Sequence, residues 1–123
     1  MNLVRGSTDC LFCRVASGEI PANRVTETER VLAFRDINPA APQHILVIPK
    51  AHLATSMADL DVTDPEAVGT WAEMLGVVQK VAAAAEFANG WRLVSNVGEH
   101  GRQSVFHLHL HLLAGRLFDW PPG

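Results

Sequence analysis

The chain predicts an α+β fold: a five-stranded antiparallel sheet with one short N-terminal helix and one long helix. Three observations carry this. Five short runs of strand formers are set apart by turn signals and lack the strand–helix–strand rhythm of a parallel sheet. One long segment with an apolar stripe lies between the third and fourth runs. Residues 104–113 alternate strictly: His107, His109 and His111 occupy every second position, with Phe106, Leu108, Leu110 and Leu112 between them. On a strand, alternate side chains share a face. One face would then carry three imidazoles about 6–7 Å apart, and the other would be apolar. A helix would scatter the same imidazoles over roughly 200°.

Composition narrows the field. At 123 residues the chain is one domain with a real core, with residues 1–8 as a loose arm and 9–123 as the domain. A formal net charge of −3 leaves no basic stripe, so nucleic acid is not favoured as a partner. No apolar run approaches the ~18 residues of a membrane span, and Met1 to Gly6 lack the apolar centre of a signal peptide. Two cysteines without a secretion signal suggest a reducing, cytoplasmic setting.

Each element has a local reason. Asp9 is placed to cap a short helix over residues 10–17, and Gly18 suits the position that ends it. Cys10 and Cys13, three apart, share a face of that helix. Residues 20–22 are a connector. Residues 24–26 and 31–35 read as strands around a polar turn, and 44–49 as the third strand, stopped by Pro49. Prolines 39 and 42 break the loop before it. Thr63-Asp64-Pro65-Glu66 reads as a T-x-x-E capping box with proline in the first turn. The stripe Val68, Trp71, Leu75, Val78, Ala82 and Ala85 then predicts a helix of roughly 35–40 Å ending at Asn89-Gly90. Residues 91–96 are the fourth strand, 97–103 a turn-rich loop, 104–113 the histidine strand and 114–123 the tail.

Three imidazoles on one face of an apolar strand carry a large desolvation cost unless each has a partner. A neutral imidazole is a good nucleophile toward phosphorus near pH 7, because its ordinary pKa is about 6.5. One imidazole cannot act as nucleophile and acid at once, so a cluster is useful.

His107-Leu108-His109-Leu110-His111-Leu112-Leu113 matches H-φ-H-φ-H-φ-φ, and the chain thereby resembles the histidine-triad (HIT) superfamily of nucleotide hydrolases and transferases. Phe34 to Pro39, Pro42 to His52, Gln103-Ser104-Val105 and the ending Trp120-Pro121-Pro122-Gly123 resemble its histidine-triad nucleotide-binding (Hint) branch, over residues 9–123. The resemblance implies a HIT-like, two-fold dimer forming one continuous sheet, with Trp71 and Trp120 as interface anchors. The tail would contribute to the site or to the dimer. It implies a purine nucleoside 5′-phosphoramidate hydrolase that releases AMP or GMP from an amine through a nucleotidyl-His109 intermediate. His111 would bind and polarise the phosphate, His44 would stand beside the triad, and Asn96 and Ser104 would hydrogen-bond the phosphoryl or leaving group. Asp36 would take the ribose hydroxyls. Phe12, Val15, Phe34, Ile37 and Leu46 would enclose the purine, with Gln103 and Trp120 completing the nucleotide contacts. Arg102 stands where the pattern has a small residue, which leaves preference at the leaving group open.

No metal is implied for catalysis. Two cysteines at this spacing and two distant histidines can form a tetrahedral Cys₂His₂ zinc site. The resemblance implies Cys10, Cys13, His52 and His107 as structural ligands; otherwise the cysteines are buried and inert. Three other functions remain: a dinucleoside polyphosphate hydrolase or nucleotidylyl transferase, a non-catalytic nucleotide-binding regulator, and more distantly a zinc hydrolase.

Overall fold

The structure, a computed structural model, describes residues 9–123. The arm expected over residues 1–8 lies outside the described residues. The elements are α1 (Leu11–Ala16), β1 (Arg24–Glu27), β2 (Val31–Arg35), β3 (Gln43–Pro49), α2 (Pro65–Ala82), a 3₁₀ turn (Ala85–Phe87), β4 (Trp91–Val94) and β5 (Leu110–Ala114). The five strands form one antiparallel sheet in the order β1-β2-β3-β5-β4.

The sheet is covered on both faces. Val31, Ala33, Ile45, Val47, Leu110 and Leu112 pack against Met74, Val77, Val78 and Val81 of α2. Leu32, Phe34, Leu46 and Ile48 pack against Phe12 and Val15 of α1. This is why β2 reads as a continuous apolar run. Leu46 pairs with His111 across β3 and β5, so the α1 face is the one that carries the imidazoles.

The structure corrects several sequence expectations. Cys10, not Asp9, caps α1, its sulfur accepting from the Cys13 N–H at 3.3 Å. Gly18 follows the helix with φ +87°, as expected of a glycine stop. Asp64, not Thr63, caps α2 and accepts from the Glu66 N–H at 3.0 Å. Pro65 pushes the residue before it into the extended region an N-cap needs.

The buried face of α2 is Ala67, Thr70, Met74, Val77, Val78 and Val81, one position off the expected stripe. Val68 and Leu75 are exposed, and Trp71 is half-buried. Two neighbouring apolar stripes run along this helix, and bulk alone favours the wrong one. Thr70 tolerates burial because its hydroxyl donates to the Glu66 carbonyl at 3.0 Å. The helix also ends at Ala82, giving about 27 Å, and the 3₁₀ turn inserts Phe87 into the core.

Finally, the β5 ladder begins only at Leu110. The backbone groups that would extend it have other partners. The Pro49 carbonyl accepts from the His107 ring at 2.7 Å, and the Leu108 N–H donates to Ala54 O at 2.9 Å. Leu108, Leu110 and Leu112 still share the buried face, but Phe106 is 59% exposed rather than part of the core. β4 likewise stops at Val94, two residues short of the expected end.

Candidate active site and metal centre

A cavity of about 440 Å³ opens on the α1 face, lined by Phe12, Val15, Phe34, Asp36, Ile37, Leu46, Ser104, His109 and His111. All nine were expected from the sequence. Leu11, Ile20, Pro21, Ala22, Arg35, Asn38 and Val105 also line it. The sequence marked residues 20–22 only as a connector, because no period distinguishes a wall from a link. Phe12 forms the inner wall, with edge contacts to the Phe34 ring at 5.7 Å and the His109 ring at 5.1 Å.

Three expected residues lie elsewhere. Asn96 is half-buried beyond β4 and does not line the cavity. The Gln103 amide braces loops instead, donating to Thr55 O at 2.6 Å and Val105 O at 3.2 Å and accepting from the Gly98 N–H at 3.0 Å. Trp120 is 82% exposed in the tail, away from this chain's cavity.

Hydrogen bonds set the proton on each imidazole. His109 Nδ1–H donates to the His107 carbonyl at 2.7 Å, which leaves its Nε2 with a lone pair. His44 Nδ1 accepts from the Ala40 N–H at 3.0 Å, so the His44 proton is on Nε2. That Nε2–H donates to His111 Nδ1 at 2.9 Å, with Asp36 Oδ2 3.5 Å away. His111 must then carry its proton on Nε2, an atom that is buried and has no protein partner among the described residues. The cavity wall thus holds a lone pair on His109 beside a donor N–H on His111, their rings 5.0 Å apart. A nucleophile and a phosphate-oxygen donor need that pairing.

The environment keeps this pair neutral. Burial, then the charges of His109 and His44, push His111 down to about 4, against the pull of Asp36. His109 is lowered by burial and partly restored by its bond to His107 O and by Asp36. His44 is lowered by burial, with Asp36 opposing. Asp36 also braces its own loop, where its Oδ1 accepts from the Asn38 N–H at 2.8 Å.

A second cluster sits behind α1. Single ligand atoms of Cys10, Cys13, His52 and His107 lie within 4.8 Å of one another. His107 Nδ1 is 3.2 Å from Cys10 Sγ and 3.5 Å from Cys13 Sγ; His52 Nδ1 is 3.5 Å from Cys13 Sγ. Typical zinc bond lengths give a sulfur–nitrogen tetrahedral edge of roughly 3.6 Å. The other His107 nitrogen donates to Pro49 O, fixing the tautomer that points a lone pair at the sulfurs. Burial pushes His107 down to about 4, and burial also lowers His52. These four residues fit a structural zinc. Asp36, His44 and His111 also converge within 4.8 Å, but the Ala40 N–H forces the proton onto the His44 nitrogen that would have to ligate. That trio does not fit a cation.

Fold and site together define an α+β protein with a paired-imidazole cavity on one face of its sheet and a Cys₂His₂ centre beside it. The HIT-domain family model matches residues 17–117, and the chain belongs to the HIT family. A 14 kDa zinc-binding protein of Zea mays is 46% identical over 114 residues, covering 92% of this chain and 87% of that protein. The crystal structure of a HIT family hydrolase from Legionella pneumophila superposes with a TM-score of 0.83 at 50% identity, covering 93% of this chain and 99% of that one. A histidine triad protein from Clostridium difficile gives 0.83 at 41% identity, covering 92% and 96%.

Proposed function

We propose that this HIT-family protein is a purine nucleoside 5′-phosphoramidate hydrolase of the Hint branch, releasing AMP or GMP from an amine. The complementary protonation of His109 and His111 supports the reading most directly. His109 Nε2 attacks the α-phosphorus while His111 Nε2–H donates to a non-bridging oxygen. The P–N bond breaks with its electron pair going to nitrogen. The nitrogen takes a proton from water on the side where the exposed Ser104 hydroxyl hydrogen-bonds it, and leaves as the amine. Water then attacks the nucleotidyl-His109 phosphorus, the nucleotide departs, and the released proton passes to solvent. His44 holds His111 in its tautomer. Phe12, Val15, Phe34, Ile37 and Leu46 enclose the purine and Asp36 receives the ribose hydroxyls.

Zinc, when held by Cys10, Cys13, His52 and His107, supplies folding energy and not chemistry. It ties α1 to the segment that carries His109. Two cysteines committed to a metal fit a reducing cytoplasm. Among the described residues, no helix is long and apolar enough to cross a membrane. The free edge of β4 and the outer stripe of α2, with Val68 and Leu75 exposed beside Trp71, support a two-fold homodimer.

Turnover of adenosine 5′-phosphoramidate measured against diadenosine polyphosphates tests the reading. Preferential release of AMP from the phosphoramidate is the expected result. Preference for the polyphosphates would instead support the dinucleoside polyphosphate hydrolase, and tight AMP binding with no turnover the regulator. A zinc hydrolase predicts that chelation stops turnover in protein that remains folded.

A further inference from the structure

We infer that Arg116 is a positioning residue: from the segment after β5 it clamps the loop over residues 36–42, keeping the Ala40 N–H aimed at His44. The kinetic half of this inference rests on the proposed hydrolase; the structural half does not.

Ala40 is used from both sides. Its N–H donates to His44 Nδ1 at 3.0 Å, and its carbonyl accepts from Arg116 Nη2 at 3.2 Å. The loop that contains it lies between the end of β2 and the start of β3 and makes no ladder. Its first residue is tied to β3 by Asp36 N–H to His44 O at 3.0 Å, but residues 37–40 are exposed. Inside the loop Asp36 Oδ1 braces the Asn38 N–H at 2.8 Å, and the Ala40 carbonyl takes its contact from outside the loop. The tail segment makes two contacts with the loop. Gly115 has φ +99°, and a Cβ there would come within 2.7 Å of Pro42 Cβ, so the Gly115 backbone lies as close to the Pro42 ring as it can. Arg116 follows it. The guanidinium is held in turn by the Phe118 ring, 4.3 Å below it, which also carries Arg92 at 5.1 Å.

The consequence reaches the cavity through two imidazoles. With Ala40 fixed, His44 carries its proton on Nε2 and His111 is left with an Nε2–H donor. With Ala40 loose, His44 Nδ1 meets water and can take the proton. His44 Nε2 then presents a lone pair to His111 Nδ1 across 2.9 Å, and His111 must move its proton to Nδ1 to avoid repulsion. The cavity wall would hold two lone pairs in place of a lone pair and a donor, and a phosphate oxygen would lose its partner.

Imidazole ¹⁵N spectra report tautomers without any substrate. They would be recorded for wild type, Arg116→Ala and Arg116→Lys, alongside steady-state kinetics on adenosine 5′-phosphoramidate. Arg116 is exposed, so neither change opens the core. Wild type should show His44 and His111 protonated on Nε2. Arg116→Ala should give mixed His44 tautomers and lower kcat about tenfold while moving KM by less than about threefold. Arg116→Lys, which keeps a donor, should restore most of both. A single Nε2–H tautomer for His44 in Arg116→Ala overturns the inference even if activity falls, since the residue would then be merely structural. Mixed tautomers with unchanged kcat overturn it as well. Wild type that cleaves no phosphoramidate would overturn the proposed function and leave the tautomer comparison standing.

Discussion

His109 and His111 are two residues apart, point the same way, and do opposite things because different nitrogens carry their protons. In the proposed reaction His109 would attack a phosphorus and His111 would donate to its oxygen. That difference comes from two backbone groups, His107 O and Ala40 N–H, and no residue pattern announces them. The sequence therefore showed which imidazoles share a face but not what each presents. The acid limb of kcat/KM follows from burial. His109 is lowered from its ordinary value of 6.5, so its neutral, reactive form persists below that pH. The limb should have its midpoint below 6.5 and activity should be flat across neutrality; a midpoint above 6.5 would contradict the buried, neutral site. The same sign holds for stability. His111 lies near 4 in the folded chain against 6.5 unfolded, so the unfolded chain binds more protons between those values. Its contribution is present above 6.5 and is lost as pH falls toward 4, which urea titrations at stepped pH would show. Asp36→Asn should raise KM roughly tenfold with a smaller change in kcat, because in the proposed complex the carboxylate would bind the ribose in ground and transition state alike.

At the scale of elements, strands were easy to read where a continuous apolar run is bounded by turn signals, and hard where side chains replace the ladder. β2 and β3 fall within a residue of expectation. β5 starts late because Pro49 O and the Leu108 N–H are spent on His107 and Ala54. α2 was recognisable as a helix, but its rotation was not, since Val68-Trp71-Leu75 is as apolar as the stripe it hides. Met74→Ala, at a fully buried position, should cost about 2–5 kcal/mol, whereas Leu75→Ala on the exposed stripe should cost under ~1 in a monomer. Calorimetry of both would reveal the facing. α1 is only six residues and is too short to stand alone. Its place depends on the packing of Phe12 and Val15 and on the Cys₂His₂ centre. Cys13→Ser should abolish stoichiometric zinc and lower Tm by at least about 5 °C. Zinc content and melting measured together check this, and an unchanged Tm in zinc-free protein would make the centre dispensable.

For the whole molecule, one face of the sheet carries both the paired-imidazole cavity and a Cys₂His₂ cluster that fits a structural zinc. The alternate histidines were legible from their spacing, whereas the full Cys₂His₂ set and the residues expected around the nucleotide came from the resemblance to the HIT superfamily. What joins cavity and cluster was not legible: the His109 Nδ1–H bond to the His107 carbonyl, and Phe12 packed edge-on against both rings. Trp120 is 82% exposed and is not among the residues that line the imidazole cavity. In a two-fold dimer the exposed tryptophan, the bare edge of β4 and the outer stripe of α2 find partners. Light scattering should give twice 13.4 kDa at micromolar concentration. A monomer under those conditions would contradict the two-fold dimer.

The most direct measurement is AMP release from adenosine 5′-phosphoramidate by wild type and His109→Ala, each loaded with zinc. Release by wild type and a loss of roughly a thousandfold or more in the variant is the predicted outcome, because removing a covalent nucleophile leaves only binding and donor contributions. Equal release by the two proteins would contradict the account.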